Sequence, residues 1–258
     1  MSKTLLSNSK MKQIITFILI ILSSSTLVAQ SLTKEASDAY TKGDYQRAVD
    51  LYEQALSSEG EAAELYYNLG NAYYKTDNIG KAILNYERAL LLSPNFVDAR
   101  FNLEITQQRV VDKIEPIGSF FLSQWSDALR ERFSSDGWAN LAIISFVLCI
   151  GGLVLYFFTN RIWTKKAGFF SAVIFLTLCL VANHYSDAQK NKYLNRNRAV
   201  IFAPSVAIKS TPDQNGTDLF ILHEGTTVKI KSKLGSWTEI ELADGNVGWI
   251  EQNKMEII

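Results

Sequence analysis

Two cysteines, two histidines and four prolines are all that 258 residues contain of these types. Such scarcity excludes a disulfide framework, a zinc ribbon and a histidine-rich metal site. An excess of one charge is missing too, because 26 basic and 26 acidic side chains cancel. No net field therefore steers the chain onto nucleic acid or another acidic surface. Nothing along the sequence arranges a nucleophile, a base and an oxyanion site, so no catalytic residue, metal or cofactor is expected. His223 beside Glu224 reads as a strand-end surface residue. What is present is unevenly spread. A mean hydropathy near zero conceals three almost purely apolar stretches separated by ordinary soluble sequence. The soluble pieces between them are small for an enzyme core and suit binding modules.

The first apolar stretch runs from Ile14 to Leu22 behind Lys3, Lys10 and Lys12, and is followed by Ser23, Ser24 and Ser25. A charged start, a short apolar middle and small residues after it describe a signal peptide over 1–29, with Gln30 as the new N-terminus. An uncleaved anchor is the alternative, since Leu27 is bulky for a cleavage pocket. Cleavage would remove three lysines and no acid, leaving a net charge of −3.

Between 30 and 113 the chain repeats itself. Ala48, Tyr52, Ala55 and Leu56 recur 34 residues later as Ala82, Tyr86, Ala89 and Leu90. That period resembles the tetratricopeptide repeat, a pair of antiparallel helices. The second copy carries Tyr66, Leu69, Gly70, Tyr73, Ala82, Tyr86, Ala89 and Pro94 at the pattern's main positions. Small residues at Gly70 and Ala82 let the two helices cross closely, and Tyr52, Tyr66, Tyr73 and Tyr86 fill the space between helices. A third copy starts at Asp98, Ala99 and Leu103 and then fails, which predicts two repeats and a capping helix. The resemblance implies a concave groove on the other face of each first helix, lined by Tyr40, Tyr67, Asn71, Tyr74 and Lys75. There Asn71 could fork two hydrogen bonds to a peptide backbone and Lys75 could meet a carboxylate.

From Pro116 to Phe133, Phe121, Trp125, Leu129 and Phe133 recur every four residues, a stripe that suits core for the repeats or, favoured by the span that begins at Trp138, an amphipathic interfacial helix over 116–134. Two uncharged stretches follow, 138–158 and 167–185, each long enough to cross a hydrocarbon core of about 30 Å. The loop 159–166 between them holds Arg161, Lys165 and Lys166 and no acid, which places it in the cytoplasm. An exported N-terminus followed by two spans then places both soluble parts in the periplasm of a bacterial inner-membrane protein. Cys149 and Cys179 fall inside the spans, where a thiol stays neutral and unreactive.

After 198 the helical rhythm gives way to short alternating segments. They are Val206/Ile208, Leu219/Ile221, Val228/Ile230, Ile240/Leu242 and Val247/Trp249, separated by turn chemistry such as Asp244-Gly245. Five short strands over 199–258 predict a small barrel. Glu224-Gly225-Thr226, Gly235-Ser236-Trp237 and Gly248-Trp249-Ile250 resemble the bacterial SH3-type domain. That resemblance implies binding of peptides or peptidoglycan, with Trp237 and Trp249 as the candidate surface, each of them also a natural core residue in so small a barrel.

The expected fold class is thus a multi-domain membrane protein: all-α tetratricopeptide repeats, two transmembrane helices and a C-terminal SH3-like all-β barrel. This order resembles the BatE-type family of the Bacteroidetes aerotolerance operon. The resemblance extends to Lys209-Ser210-Thr211-Pro212-Asp213 and to Leu242-Ala243-Asp244-Gly245. It implies a non-catalytic scaffold whose partners are membrane proteins of that operon, namely von Willebrand factor A proteins working with a MoxR-type ATPase. An envelope tether or sensor that binds peptidoglycan through the SH3-like domain is the second reading.

Overall fold

The computed structural model describes residues 32–118 and 121–258. The signal peptide expected over 1–29 lies outside the described residues. Five helices come first: α1 through residues 32–41, α2 Tyr45–Glu59, α3 Ala63–Lys75, α4 Ile79–Leu92 and α5 Val97–Gln107. The two turns inside the helix pairs obey the 34-residue spacing in their backbone as well as their side chains. Gly43 (φ 82°) and Asp77 (φ 64°) both take the left-handed conformation that ends one helix, and Asp77 alone does so with a Cβ. Asp and Asn tolerate that region better than other side chains. The next residue in each copy, Asp44 or Asn78, then caps the following helix by accepting from the backbone N–H of Arg47 or Lys81. Side-chain caps of this kind satisfy amides that the first turn leaves unpaired.

Tyr52, Tyr66, Tyr73 and Tyr86 are all buried, as the spacing predicted. Gly70 is where α3 and α4 come closest: a Cβ there would lie 2.7 Å from Cε1 of the Tyr86 ring. Because that ring is itself 1% exposed, it has nowhere to move. Gly70→Leu is therefore expected to destabilise the protein by about 1 to 3 kcal/mol through overpacking. Denaturant unfolding of the full chain in detergent, followed by circular dichroism, checks this; an unchanged midpoint would refute the close crossing.

After α5 the chain does not go straight into the expected amphipathic helix. Residues 110–118 form an extended strap along the C-terminal sheet, with the Ile117 N–H donating to the Ala243 carbonyl at 3.0 Å and Ile114 packed on the sheet's core. Pro116 and Gly118 lie in this strap, and only Phe121–Arg130 is helical (α6). Two long apolar helices follow, α7 Ser135–Phe158 and α8 Ile162–Leu194. They contain the two expected spans and run beyond them, α8 to 33 residues, or about 50 Å at 1.5 Å per residue. Both are long and apolar enough to cross a membrane. They pack as a hairpin along Ala142, Ser145, Cys149 and Gly152 on one side and Gly168, Ala172 and Ala182 on the other. The α6 helix is tied to the hairpin's open end: Trp138 Nε1 and Gln189 Nε2 both donate to the Arg130 carbonyl.

The C-terminal part is an antiparallel sheet of seven strands: β1 Arg198–Ile201, β2 Ser205–Lys209, β3 Asp218–His223, β4 Thr227–Leu234, β5 Trp237–Glu241, β6 Val247–Glu251 and β7 Met255–Ile257. Their order is β3-β2-β6-β5-β4-β1-β7, and β3 does not pair with β7, so the sheet is open where a closed five-stranded barrel was expected. The two added strands are β1 and β7, one at each end of the sequence segment. Two strands also show the opposite face to the one expected. Phe220 and Leu222 turn inward while Leu219 and Ile221 are exposed, and Gly248 and Ile250 turn inward while Val247 and Trp249 face out.

The repeats and the sheet are joined rather than strung apart. Along β1, Ala199 and Ile201 belong to the sheet's core, whereas Val200 between them belongs to the repeats' core together with Ile258. One strand thus serves two cores through its alternation. Glu87 on α4, 6% exposed, accepts two hydrogen bonds from the Arg198 guanidinium at 2.8 and 2.9 Å. Arg88 donates to Glu256 and to the Ile257 carbonyl. At the other end of α4 the Gly80 N–H donates to Glu224, and Gly225 (φ 86°) approaches so closely that a Cβ would lie 2.9 Å from Val110. His223 is half-buried in this joint, not a free surface residue. Its backbone N–H and its Nδ1 both bond Asp112 of the strap, which also accepts from Thr226.

Candidate functional site

With the sheet packed on α4, the opposite face of the repeats is left open by the described residues. Translating by 34 residues shows how that face is built. Tyr67, Asn71, Tyr74 and Lys75 on α3 correspond to Phe101 and Ile105 on α5 and to Gln108 and Arg109 just past its end, and Tyr40 on α1 corresponds to Tyr74. Tyr40, Asn71, Tyr74 and Lys75 come together with Tyr86, Asn102, Ile105 and Thr106 around a recess of about 240 Å³. Four of the five groove residues expected from sequence thus line one recess.

Their chemistry is more specific than the spacing could tell. The Asn71 Oδ1 accepts from the Tyr86 hydroxyl and from Asn102 Nδ2, both at 2.8 Å. Asn102 Nδ2 also reaches the Tyr67 hydroxyl at 3.4 Å. The Asn71 acceptor is thus committed to holding α3, α4 and α5 together, which leaves its Nδ2 as the group that can donate to a ligand. Tyr67 does not line the recess but stands beside it, half-buried, with its ring 4.9 Å from Phe96 and 6.2 Å from Tyr86. Tyr40 stacks edge-on with Tyr45 at 5.2 Å. Burial, then the neighbouring Tyr45 and Tyr67, pushes the Tyr40 hydroxyl's pKa up, so it stays neutral at any ordinary pH. Lys75 stands exposed at the rim, and the Arg109 guanidinium lies over the Tyr74 ring at 5.6 Å while pairing with Asp77 at 2.5 Å.

The residues that sequence reasoning missed are Phe101 and Ile105. They are 61% and 37% exposed, with Val97 a further turn back at 75%. Their signal was available: they are Tyr67 and Asn71 moved by one repeat. The second helix of the third repeat, which would have marked that copy as real, is replaced by the strap, and the space it would take is partly filled by the joint. A recess of about 270 Å³ there is lined by Arg100, Lys192 and Arg198, but each is already paired with Glu131 or Glu87. Close by, Glu61 is held down to about 2 by the Arg196 guanidinium, against the opposing effect of burial and with help from Tyr66 and Tyr193. These charges bind the modules to one another.

Trp237 and Trp249 occupy a second surface. Both are half-buried, on the sheet face that points away from its core, where Trp237 opposes Glu251 and Trp249 opposes Glu239 and Lys209. Neither belongs to the sheet's buried core, so the alternative of core residues does not apply to them. No group of His, Cys, Asp and Glu able to hold a metal ion exists among the described residues.

Comparison with known proteins agrees with the helical geometry. Residues 33–103 match the family model "Tetratricopeptide repeat". The peroxisomal targeting signal receptor of Saccharomyces cerevisiae is 34% identical over 71 residues, which is 28% of this chain and 12% of that protein. The SGT1 homolog of Oryza sativa subsp. japonica is 31% identical over 71 residues, 28% of this chain and 19% of that one. Human tetratricopeptide repeat protein 16 is 32% identical over 75 residues, 29% and 9% respectively. This chain therefore spans less than a fifth of each relative's length. The Sgt2 TPR domain from Aspergillus fumigatus overlays 65% of this chain and 82% of its own at 15% identity, with a TM-score of 0.30. The chain thus carries tetratricopeptide repeats. Proteins built on them are generally adaptors in protein–protein interaction, and no enzymatic family is indicated.

Proposed function

We propose that this protein is a non-catalytic adaptor that captures a protein partner in the open face of its repeats while α7 and α8 hold it in a bacterial inner membrane. The observation that carries the reading is the groove itself. Tyr40, Tyr74, Phe101 and Ile105 offer apolar surface on a face of the repeats that the other described residues leave uncovered. Aromatic side chains supply such contact area at low entropic cost. Membrane insertion of α7 and α8 is supported by their length and by the many large apolar side chains they expose, Phe146, Leu153, Phe170 and Leu180 among them. With the loop 159–166 in the cytoplasm, the repeats and the sheet lie together in the periplasm, since both sit at the same end of the hairpin. By its resemblance to the BatE-type family, the partner class is a von Willebrand factor A protein of the same membrane, assembled with a MoxR-type ATPase. Taken as an SH3-like module, the sheet gives a second reading, a tether to peptidoglycan, which the outward-facing Trp237 and Trp249 favour.

Two double variants separate these. Tyr74→Ala with Phe101→Ala should reduce co-purification of the operon-type membrane partners by about 30-fold or more, as expected for two aromatic anchors. Trp237→Ala with Trp249→Ala should leave that capture within about threefold, since the sheet's outer face is remote from the repeat anchors. The reverse result, together with loss of co-sedimentation with sacculi in the tryptophan variant, would transfer the function to the sheet. Point variants are needed because deleting the sheet would strip Val200 and Ile258 from the repeats' own core.

A further inference from the structure

An amphipathic interfacial helix lies flat in the plane of the membrane surface, but the contacts of α6 stand it upright. Ser126 Oγ is 3.3 Å from the Tyr185 hydroxyl, Gln189 Nε2 donates to the Arg130 carbonyl at 3.0 Å, and Lys192 Nζ donates to Glu131 at 3.4 Å. The sequence separations of these pairs are 59, 59 and 61. A nearly constant separation means that α6 runs beside the last turns of α8 in the same direction. Counting back along α6 at that offset sets Trp125 level with His184 and Phe121 level with Leu180. Leu180 lies within the apolar run of α8 and is 64% exposed. Tyr185, packed edge-on against Trp138 at 5.0 Å, stands where that run ends, and such aromatics favour the membrane–water boundary. Five residues before Ser126, Phe121 is about 7 Å deeper than this boundary. The charges fall at the same height. No charged residue occurs between Glu115 and Asp127, or between Lys166 and Asp187. Asp127 and Asp187 are thus the first charges met on leaving the bilayer along α6 and α8, and the register sets them side by side. The charge-free run on α6 is too short to cross a membrane and suits a segment that dips into one leaflet. Within it Trp125 is 69% exposed and Phe121 67%.

We propose that the first turn of α6 is a wedge in the periplasmic leaflet: Phe121 and Trp125 insert among lipid acyl chains beside α8, while Asp127, Arg130, Glu131 and Arg132 stay in water. This rests on the membrane reading of α7 and α8. It goes beyond that reading by giving the soluble part a third membrane contact, which the strap carries to the sheet through the bond from Ile117 to Ala243. Since the inserted turn has no charge, it needs no anionic headgroup.

The test uses the full chain with Cys149→Ala and Cys179→Ala, one copy per phosphatidylcholine nanodisc. A single nitroxide is placed through Phe121→Cys, Trp125→Cys, Arg132→Cys or Leu180→Cys. Relaxation of the label by oxygen against a water-soluble nickel complex gives its depth. The labels at Phe121 and Leu180 should lie equally deep, the one at Trp125 about 6 Å shallower, and the one at Arg132 in water. The native side chain is read separately: lipids brominated at shallow acyl carbons should quench the fluorescence of the parent more than that of Trp125→Phe. Equal quenching of the two would overturn the wedge. Water exposure at Phe121 and Trp125, with Leu180 still in the bilayer, would overturn it while leaving the membrane reading intact. Equal, shallow depth for Phe121 and Trp125 would overturn it in favour of a helix lying flat. Labels at both positions that neither oxygen nor nickel reaches would overturn it in favour of a covering protein surface. Water exposure at Leu180 would remove the membrane reading and the wedge with it.

Discussion

Arg198→Ala is expected to open the joint between repeats and sheet, raising hydrogen exchange at the amides in and beside β1 by about 30- to 900-fold, the equivalent of roughly 2 to 4 kcal/mol. The cost lies in the partner left behind. Glu87 lies on the middle of α4 with its side chain 7% exposed, and both its oxygens are bonded to the Arg198 guanidinium. Removing the arginine leaves a carboxylate without its partner and largely out of water. Breaking a fully buried pair in that way costs about 3 to 5 kcal/mol. The figure here is lower because the Arg198 side chain keeps 42% exposure, so water can reach the vacated space. The amides to follow are those of Ile201, Gly225 and Ile258, whose bonds to the carbonyls of Thr226, Ile201 and Arg198 hold β1 to its neighbours beside the joint. Changing both partners, Glu87→Met with Arg198→Met, should restore most of the protection, since replacement of both charges removes the stranded one. Exchange in Arg198→Ala within about threefold of the parent would mean that the apolar contacts of Val200 and Ile258, with the Arg88 and Gly80 bonds, carry the joint without the Glu87–Arg198 pair.

This joint is also the part of the fold that no inspection of the sequence could supply. The repeats were legible because a 34-residue period is written into side chains that must be small, such as Gly70 and Ala82, or must fill space, such as Tyr73 and Tyr86. The hairpin was legible because an uninterrupted apolar run of that length is rarely tolerated outside a membrane. A contact between Glu87 and Arg198, or between Gly80 and Glu224, leaves no period, and each residue alone reads as an ordinary surface charge or a helix glycine. The strands fell between these cases. In β3 the run Leu219, Phe220, Ile221, Leu222 is apolar throughout, so alternation gives no phase; register with β2, which sets Phe220 opposite Ile208 and Leu222 opposite Val206, decides which pair faces the core. In β6 the bulky Trp249 suggests the inner face, but Gly248 holds that side because Ile208 and the Lys209 carbonyl lie where its side chain would be. At the groove, the period placed Tyr40, Asn71, Tyr74 and Lys75 together, yet could not reveal that the Asn71 acceptor is spent internally. That depended on Tyr86 and Asn102 arriving from two other helices.

Gly168→Leu is expected to separate α7 from α8 with a loss of about 3 kcal/mol or more, the upper end for overpacking. A glycine that faces a side chain can be relieved when that side chain swings away. Here the neighbour is backbone on both sides. A Cβ at Gly168 would lie 2.7 Å from the Gly152 carbonyl oxygen and 2.8 Å from the Tyr156 nitrogen, and one at Gly152 would lie 2.9 Å from the Gly168 oxygen. Only a rigid shift of one whole helix relieves such contacts, and that shift would undo the packing of Ser145, Cys149 and Ala172 along the same seam. In the proposed membrane setting the loss is harder to offset, because lipid tails are as apolar as the helices and close packing is the main force between them. Gly151 provides the control. It is the neighbour of Gly152, but a Cβ there would meet nothing within 4 Å. Gly151→Leu should therefore leave the hairpin's resistance to SDS unfolding within about 0.5 kcal/mol of the parent, as for a substitution on an open surface. The measurement is a titration of the full chain in mixed micelles, read by circular dichroism. If both leucine variants unfold together, at whichever midpoint, helix composition rather than the Gly152–Gly168 crossing sets the stability of the hairpin, and the small-residue seam is incidental.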